Sequence, residues 1–286
     1  MDMNAKIYFD YNIYDGIAKG LFNLPEHFKE NKLFVSVAHA EEYYNAKCNN
    51  IDVKNHQKLK KIENMMRKSS EIHGVLNPSK KGVFLKMESF KDPSKRIARY
   101  DTRNSIENTS VRKYNFRKIE YENLLDNNQE LMYISNLDEK EIWEQTVVRD
   151  KLKNIKNRID DHNMDIINNL IIDYGVQAYD LEKIYKLPYF EIVPNMYNDT
   201  RMSYVQLEFS LEVLGDILNE VGYCKDNKVE KVKSGVYDTE HSIYATYCDL
   251  FITNDKKLTK RLNAIYGYLG VGTRCISYNE FEKVFC

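Results

Sequence analysis

Two short apolar runs in this chain each end on an acid with a hydrogen-bonding neighbour. Lys6-Ile7-Tyr8-Phe9 runs into Asp10-Tyr11-Asn12, and Leu250-Phe251-Ile252 runs into Thr253-Asn254-Asp255. Further acids stand at the adjacent pair Glu41-Glu42, at Asp238, and at Asp249 just before the second apolar run. Each alone is unremarkable, because an aspartate after a strand is commonly a turn residue. Brought to one place, several carboxylates repel one another, and a cation relieves that repulsion. Hard oxygen donors without a His or Cys set favour Mg²⁺ or Mn²⁺ over zinc. A cation held in that way lowers the pKa of a bound water, orients it, and offsets charge on a leaving oxygen.

Strands and helices must carry these residues. Lys6–Phe9 and Leu33–Val37 read as short β-prone strands, and Ala38–Ala46 as a helix bearing Glu41 and Glu42. Asp238 opens a run with apolar residues at Ile243, Ala245, Tyr247 and Cys248, close to helical spacing. Leu250–Thr253 predicts a strand, Lys256–Tyr268 a helix through Leu258, Leu262 and Ile265, and Arg274-Cys275-Ile276 another strand. Leu207, Leu211, Leu214, Leu218 and Val221 form a helical stripe that ends at Gly222. Helix, strand, helix, strand is the pattern of an α/β domain with a parallel sheet. Ligands of such sheets collect at the carboxyl ends of the strands, where Asp10 and Asp255 fall. His241, three residues after Asp238, is either a neighbour of that edge or a packing residue.

The ordered set of strand-Asp-x-Asn, a strand and helix with Glu, and then DTEHSIYATYCDLFITNDKKL resembles the PIN-like nuclease domains. The resemblance covers roughly residues 1–50 and 200–286. It implies a discontinuous α/β domain with a central parallel β-sheet flanked by helices, interrupted by a mainly helical insertion over 51–199. It also implies metal-dependent hydrolysis of a nucleic-acid backbone. Asp10, Glu42, Asp238 and Asp255 would then be direct or water-mediated ligands of Mg²⁺ or Mn²⁺. Glu41 is the alternative to Glu42, and Asn12 and Thr253 would orient ligands or water. Asp249 is a further ligand, or else it caps or lies at the opposite edge. Tyr11 departs from the family pattern, which has a small hydroxyl residue between the Asp and the Asn. The insertion is also larger than in toxin-type members.

The middle of the chain has a different character. Residues 51–120 hold eighteen Lys or Arg against eight acids, a formal excess of ten positive charges, although the whole chain carries −1. Lys60, Lys61, Arg67, Lys68, Arg96, Arg99, Arg112 and Lys113 belong to the basic clusters, with Tyr100, Tyr114 and Phe116 interleaved. Basic charge with aromatic side chains suits phosphate contact and base stacking on a nucleic-acid strand, while the alternative is a solvated helix surface. Lys256 and Lys257 divide between phosphate contact and ordinary helix charge in the same way. Asn77-Pro78-Ser79 reads as a turn, and Ile142, Trp143, Val147, Leu152, Ile155 and Ile159 as one amphipathic helix. The aromatic-rich insertion would also suit a regulatory protein partner.

An apolar content of 43% with 30% charged residues fits a globular protein. No apolar run approaches the roughly 20 residues that span a bilayer, so no membrane partner is expected. No secretory leader is visible. Five scattered cysteines without a C-x-x-C predict reduced thiols and a cytoplasmic setting. The leading expectation is a cytoplasmic endoribonuclease, regulated in stress or defence. A structure-dependent DNA nuclease, or an inactive nucleic-acid-binding or scaffold protein on the same fold, are the alternatives.

Overall fold

The structure, a computed structural model, describes residues 5–24, 32–49, 53–79, 82–88, 90, 134–153, 192–199, 202–224 and 229–285. Its centre is a six-stranded, mostly parallel sheet flanked by helices. The strands are β1 (Lys6–Phe9), β2 (Lys32–Ser36), β3 (Val75–Ser79), β4 (Gly82–Lys86), β5 (Leu250–Ile252) and β6 (Arg274–Ile276). Their order across the sheet is β4-β3-β2-β1-β5-β6, and β4 alone is antiparallel to its neighbour.

Both faces of the central strands are covered, so they need apolar side chains on both, and their sequences are short continuous apolar runs. Ile7, Tyr8, Phe9, Phe251 and Ile252 are fully buried. The register sets Phe9 beside Ile252 and Tyr8 beside Phe34. From β1 the chain proceeds to β2 and β3 on one side, and later returns to β5 and β6 on the other. The crevice between the carboxyl ends of β1 and β5 is therefore the point where the winding direction reverses, the usual place for a ligand in an open parallel sheet.

Helices α1 (Tyr11–Ala18), α2 (Val37–Asn49) and α3 (Val53–His73) follow β1 and β2. Among the described residues of the middle of the chain are the short helices α4 (Glu141–Glu144), α5 (Thr146–Lys153) and α6 (Met196–Asp199). Then come α7 (Tyr204–Glu220), α8 (Val229–Ala245), α9 (Lys256–Leu269) and α10 (Tyr278–Phe285). The α7 stripe is as its spacing predicts: Leu207, Leu211, Leu214 and Leu218 are buried, and Ser203 with Gln206 forms a capping box at its start. Helix α9 buries Leu258, Leu262, Ile265 and Leu269 and closes on Gly270 at φ +79°. A side chain there would strain the left-handed backbone and meet Asn198 Nδ2 at 2.6 Å.

Part of the span expected to be an insertion belongs to the sheet. Strands β3 and β4 lie within 51–199, yet they extend the sheet, and helix α3 packs beside β2. Asn77-Pro78-Ser79 is strand, not turn. Pro78 sits beyond the end of the β2 pairing, where a missing N–H is tolerated, and it pairs with Val83 of β4. The single helix expected from Ile142 breaks at Gln145 into α4 and α5, and Ile155 and Ile159 lie outside the described residues. Trp143 is buried, and its indole Nε1–H donates to the Ala264 carbonyl at 3.0 Å. Ile134, Leu137, Ile142 and Val148 share the same hydrophobic core as the sheet. No helix among the described residues is long and apolar enough to cross a membrane.

Candidate functional site

Asp10 leaves β1 as Thr253 leaves β5, and the parallel register sets them side by side. Thr253 Oγ1 donates to Asp10 Oδ2 at 2.6 Å, and Asn12 Nδ2 donates to the same oxygen at 2.5 Å. Asn12 Nδ2 also reaches Thr253 Oγ1 at 3.2 Å. Asp10 is 5% exposed and Thr253 is fully buried. Both side-chain donors meet one oxygen, and the Tyr11 backbone N–H also bonds the carboxyl.

Asp255 continues the same turn. Its backbone N–H donates to Thr253 Oγ1 at 3.2 Å, and its Oδ1 accepts from Lys257 N and Leu258 N at 2.9 and 3.0 Å. Asp255 is thus the N-cap of α9, a structural task that any site role must share.

Asp238 lies well inside α8, nine residues after its start, not at the beginning of a helix as its sequence context predicts. Its place in that helix matters more. His241 is one turn on, on the same face, and His241 Nε2 lies 2.8 Å from Glu42 Oε2 on α2. Glu42 thus faces the carboxyl edge, and it acts on both Asp10 and Asp238. Its neighbour Glu41 is buried.

The charges record this convergence. Burial, and then the Glu42 carboxylate, hold Asp10 above the usual carboxylate range, against the pull of His241 and of the Thr253 hydrogen bond. Burial, followed by the carboxylates of Asp10, Asp255 and Glu42, holds Asp238 well above that range. The Arg261 guanidinium opposes this upward push. Arg261 is a buried cation on α9, and its guanidinium donates to Asn219 Oδ1 at 3.3 Å. Sequence reasoning missed it. The signal was an arginine at a helical core spacing between Leu258 and Ile265.

Asp249 does not join the set. It is exposed just before β5, and its Oδ2 accepts from Lys6 N at 2.7 Å at the start of β1. That is the amino edge of the sheet, roughly 13 Å of extended chain from Thr253. The proposed alternative, a place at the opposite edge, is the one observed.

Beneath the carboxyls lies a hydrogen-bonded chain that the sequence did not reveal. His241 Nδ1 is 2.7 Å from Tyr8 OH, and Tyr8 OH is 2.6 Å from Ser36 Oγ. Ser36 N donates to His39 Nδ1 at 3.0 Å, which leaves the ring proton on Nε2 to donate to the Phe9 carbonyl at 2.7 Å. Burial keeps His39 neutral and pushes the Tyr8 hydroxyl well above its ordinary range. Two spacings, His241 three residues after Asp238 and His39 three residues before Glu42, hint at parts of this; Tyr8 carries no local signal.

The basic residues divide. Lys60, Lys61, Arg67 and Lys68 are exposed on α3. Ser69 Oγ donates to the Leu33 carbonyl at 2.5 Å, which sets that end of α3 beside the start of β2 and away from the carboxyl edge. Lys60 and Lys61 are about two turns earlier, hence nearer to the edge. Arg67 pairs with Glu63 at 2.7 Å. Lys256 and Lys257 begin α9 beside Asp255, at the edge itself. Arg96, Arg99, Arg112 and Lys113 lie outside the described residues, as do Tyr100, Tyr114 and Phe116.

The donor chemistry fits a hard divalent cation, since carboxylates that burial and one another discharge are those a cation would restore. Yet among the described residues no group of three or more His, Cys, Asp or Glu side chains is disposed to hold a metal ion. Comparison with models of protein families, with curated proteins and with solved structures gives no match.

Proposed function

We propose that this chain is a metal-dependent nuclease of the PIN-like kind, acting on single-stranded nucleic acid, with RNA as the preferred substrate. The observation that carries the proposal is the electrostatic convergence of Asp10, Glu42, Asp238 and Asp255 at the winding-reversal point of a parallel sheet. Four acids from four separated elements, two of them held above the usual carboxylate range, are a costly arrangement that a cation relieves. A bound Mg²⁺ or Mn²⁺ would supply an activated water and charge neutralisation at the phosphate.

The chain's own residues prepare that step. Asn12 and Thr253 orient Asp10. His241 holds one oxygen of Glu42. Arg261 offsets part of the charge at Asp238. Lys60, Lys61, Lys256 and Lys257 are the cations best placed to draw a phosphate backbone to the carboxyl edge.

A second reading, nucleic-acid binding without cleavage, is favoured by the helix cap at Asp255 and by the lack of a metal-disposed group among the described residues. Cleavage of end-labelled RNA and DNA in Mn²⁺, Mg²⁺ or EDTA separates the readings. Cutting of RNA that needs metal supports the first, cutting confined to branched or flapped DNA supports a structure-dependent DNA nuclease, and retention without cutting supports the second.

A further inference from the structure

Glu42 is the one site acid that comes to the edge from a long side chain on a helix, and it needs something to hold it. Among the described residues, the hydrogen bond that holds its carboxyl is the one to His241. His241 is 1% exposed, while the Glu42 side chain is 27% exposed. A buried ring thus meets a half-buried carboxyl, and the ring is itself held from behind. Tyr8 OH lies at 2.7 Å from its other nitrogen, and Ser36 Oγ at 2.6 Å from Tyr8 OH. Tyr8 and Ser36 are fully buried on β1 and β2. With an acidic oxygen at 2.8 Å, Nε2 carries the proton and donates it.

We infer that His241 is a positioning residue that aims the Glu42 carboxylate at the cation site, with its own ring orientation set by Tyr8 and Ser36. This rests on the reading of Glu42 as a metal ligand. The arrangement has the form of the outer hydrogen bonds that fix a metal-binding carboxylate. It is not a proton path. Beyond Ser36 the chain passes to His39 and stops at the Phe9 carbonyl, a group that cannot take up a proton. What the chain can transmit is geometry. Phe9 precedes Asp10, so the same network that aims Glu42 is anchored on the strand end that presents Asp10.

Mn²⁺ affinity of the full chain, read by electron paramagnetic resonance of free Mn²⁺, tests this without reference to cleavage. Wild type, His241→Leu, His241→Gln and Tyr8→Phe are titrated at one pH, with circular dichroism to verify folding. His241→Leu should bind Mn²⁺ about tenfold or more weakly. His241→Gln, which keeps an N–H near the position of Nε2, should recover most of the loss. Tyr8→Phe removes one buried oxygen, keeps the ring packing, and should weaken binding too; it carries the test if His241→Leu does not fold. Unchanged affinity in folded His241→Leu or in Tyr8→Phe overturns the inference. So does failure of folded His241→Gln to recover binding. A wild type that binds no Mn²⁺ overturns the metal reading itself, a result distinguishable from these.

Discussion

Asp10 and Thr253 are 243 residues apart in the chain and 2.6 Å apart in space, joined by a hydrogen bond between two side chains that leave adjacent parallel strands. The bond lies at the crevice where the winding of the sheet reverses, and it ties the first acid of the site to the turn that carries the last.

Thr253→Val keeps the shape of this fully buried side chain and deletes its hydroxyl. Asp10 then loses one of its donors, and the bond from the Asp255 N–H to this hydroxyl is lost as well. The expected cost is about 1–3 kcal/mol, measured as a lower urea midpoint at pH 7 with an unchanged slope. An unchanged midpoint would remove the hydroxyl from the account.

Asp238 and Asp10 bind protons more tightly in the folded chain than in the unfolded one, because burial and neighbouring carboxylates raise both. Between the ordinary carboxylate value near 4 and the elevated folded values, the folded state holds more protons, so these two groups make stability fall as pH rises. The penalty is complete above the elevated values and absent below about pH 4. Asp238→Asn should therefore be more stable than wild type at pH 7, by about 1.4 kcal/mol for each unit of elevation removed. That advantage should vanish near pH 4. A variant less stable at both pH values would contradict the charge assignment.

How far could this have been read from the sequence? β1 with Asp10 and β5 with Thr253 were legible because an apolar run ending on a polar residue is a local pattern. The long start of α8 was not, since Val229-Glu230-Lys231-Val232-Lys233-Ser234-Gly235 has weak apolar spacing and a glycine. β3 was hidden by Asn-Pro-Ser, which signals a turn unless the end of the neighbouring strand's pairing is known. Adjacent Glu41 and Glu42 are not told apart by local sequence, because His241, the partner of Glu42, stands 199 positions away. Pairings of that span leave no mark on composition or period.

Lys60 and Lys61 should matter more to nucleic-acid binding than Arg67 and Lys68. The first pair lies nearer to the carboxyl edge, and Arg67 is already paired with Glu63. Fluorescence anisotropy of labelled RNA across a salt series should show Lys60→Ala with Lys61→Ala reducing the log–log slope by about one for each phosphate no longer neutralised. The Arg67→Ala and Lys68→Ala pair should change it less. The reverse order would relocate the binding face.

Trp143 joins the middle of the chain to the sheet domain through its buried ring and its hydrogen bond to Ala264. Trp143→Ala should cost about 3–5 kcal/mol in a denaturation followed by circular dichroism. A cost below about 1 kcal/mol would mean that α4 is not part of this core.

Whether the carboxyl edge is a metal-dependent catalytic site is decided by single-turnover cleavage of end-labelled single-stranded RNA by wild type, Asp10→Asn and Asp238→Asn, each with Mn²⁺ and with EDTA. On this reading wild type cuts only with metal, and rates are about a hundredfold or more lower in both variants while each stays folded. Metal-independent cutting, or equal rates in wild type and Asp238→Asn, would contradict it.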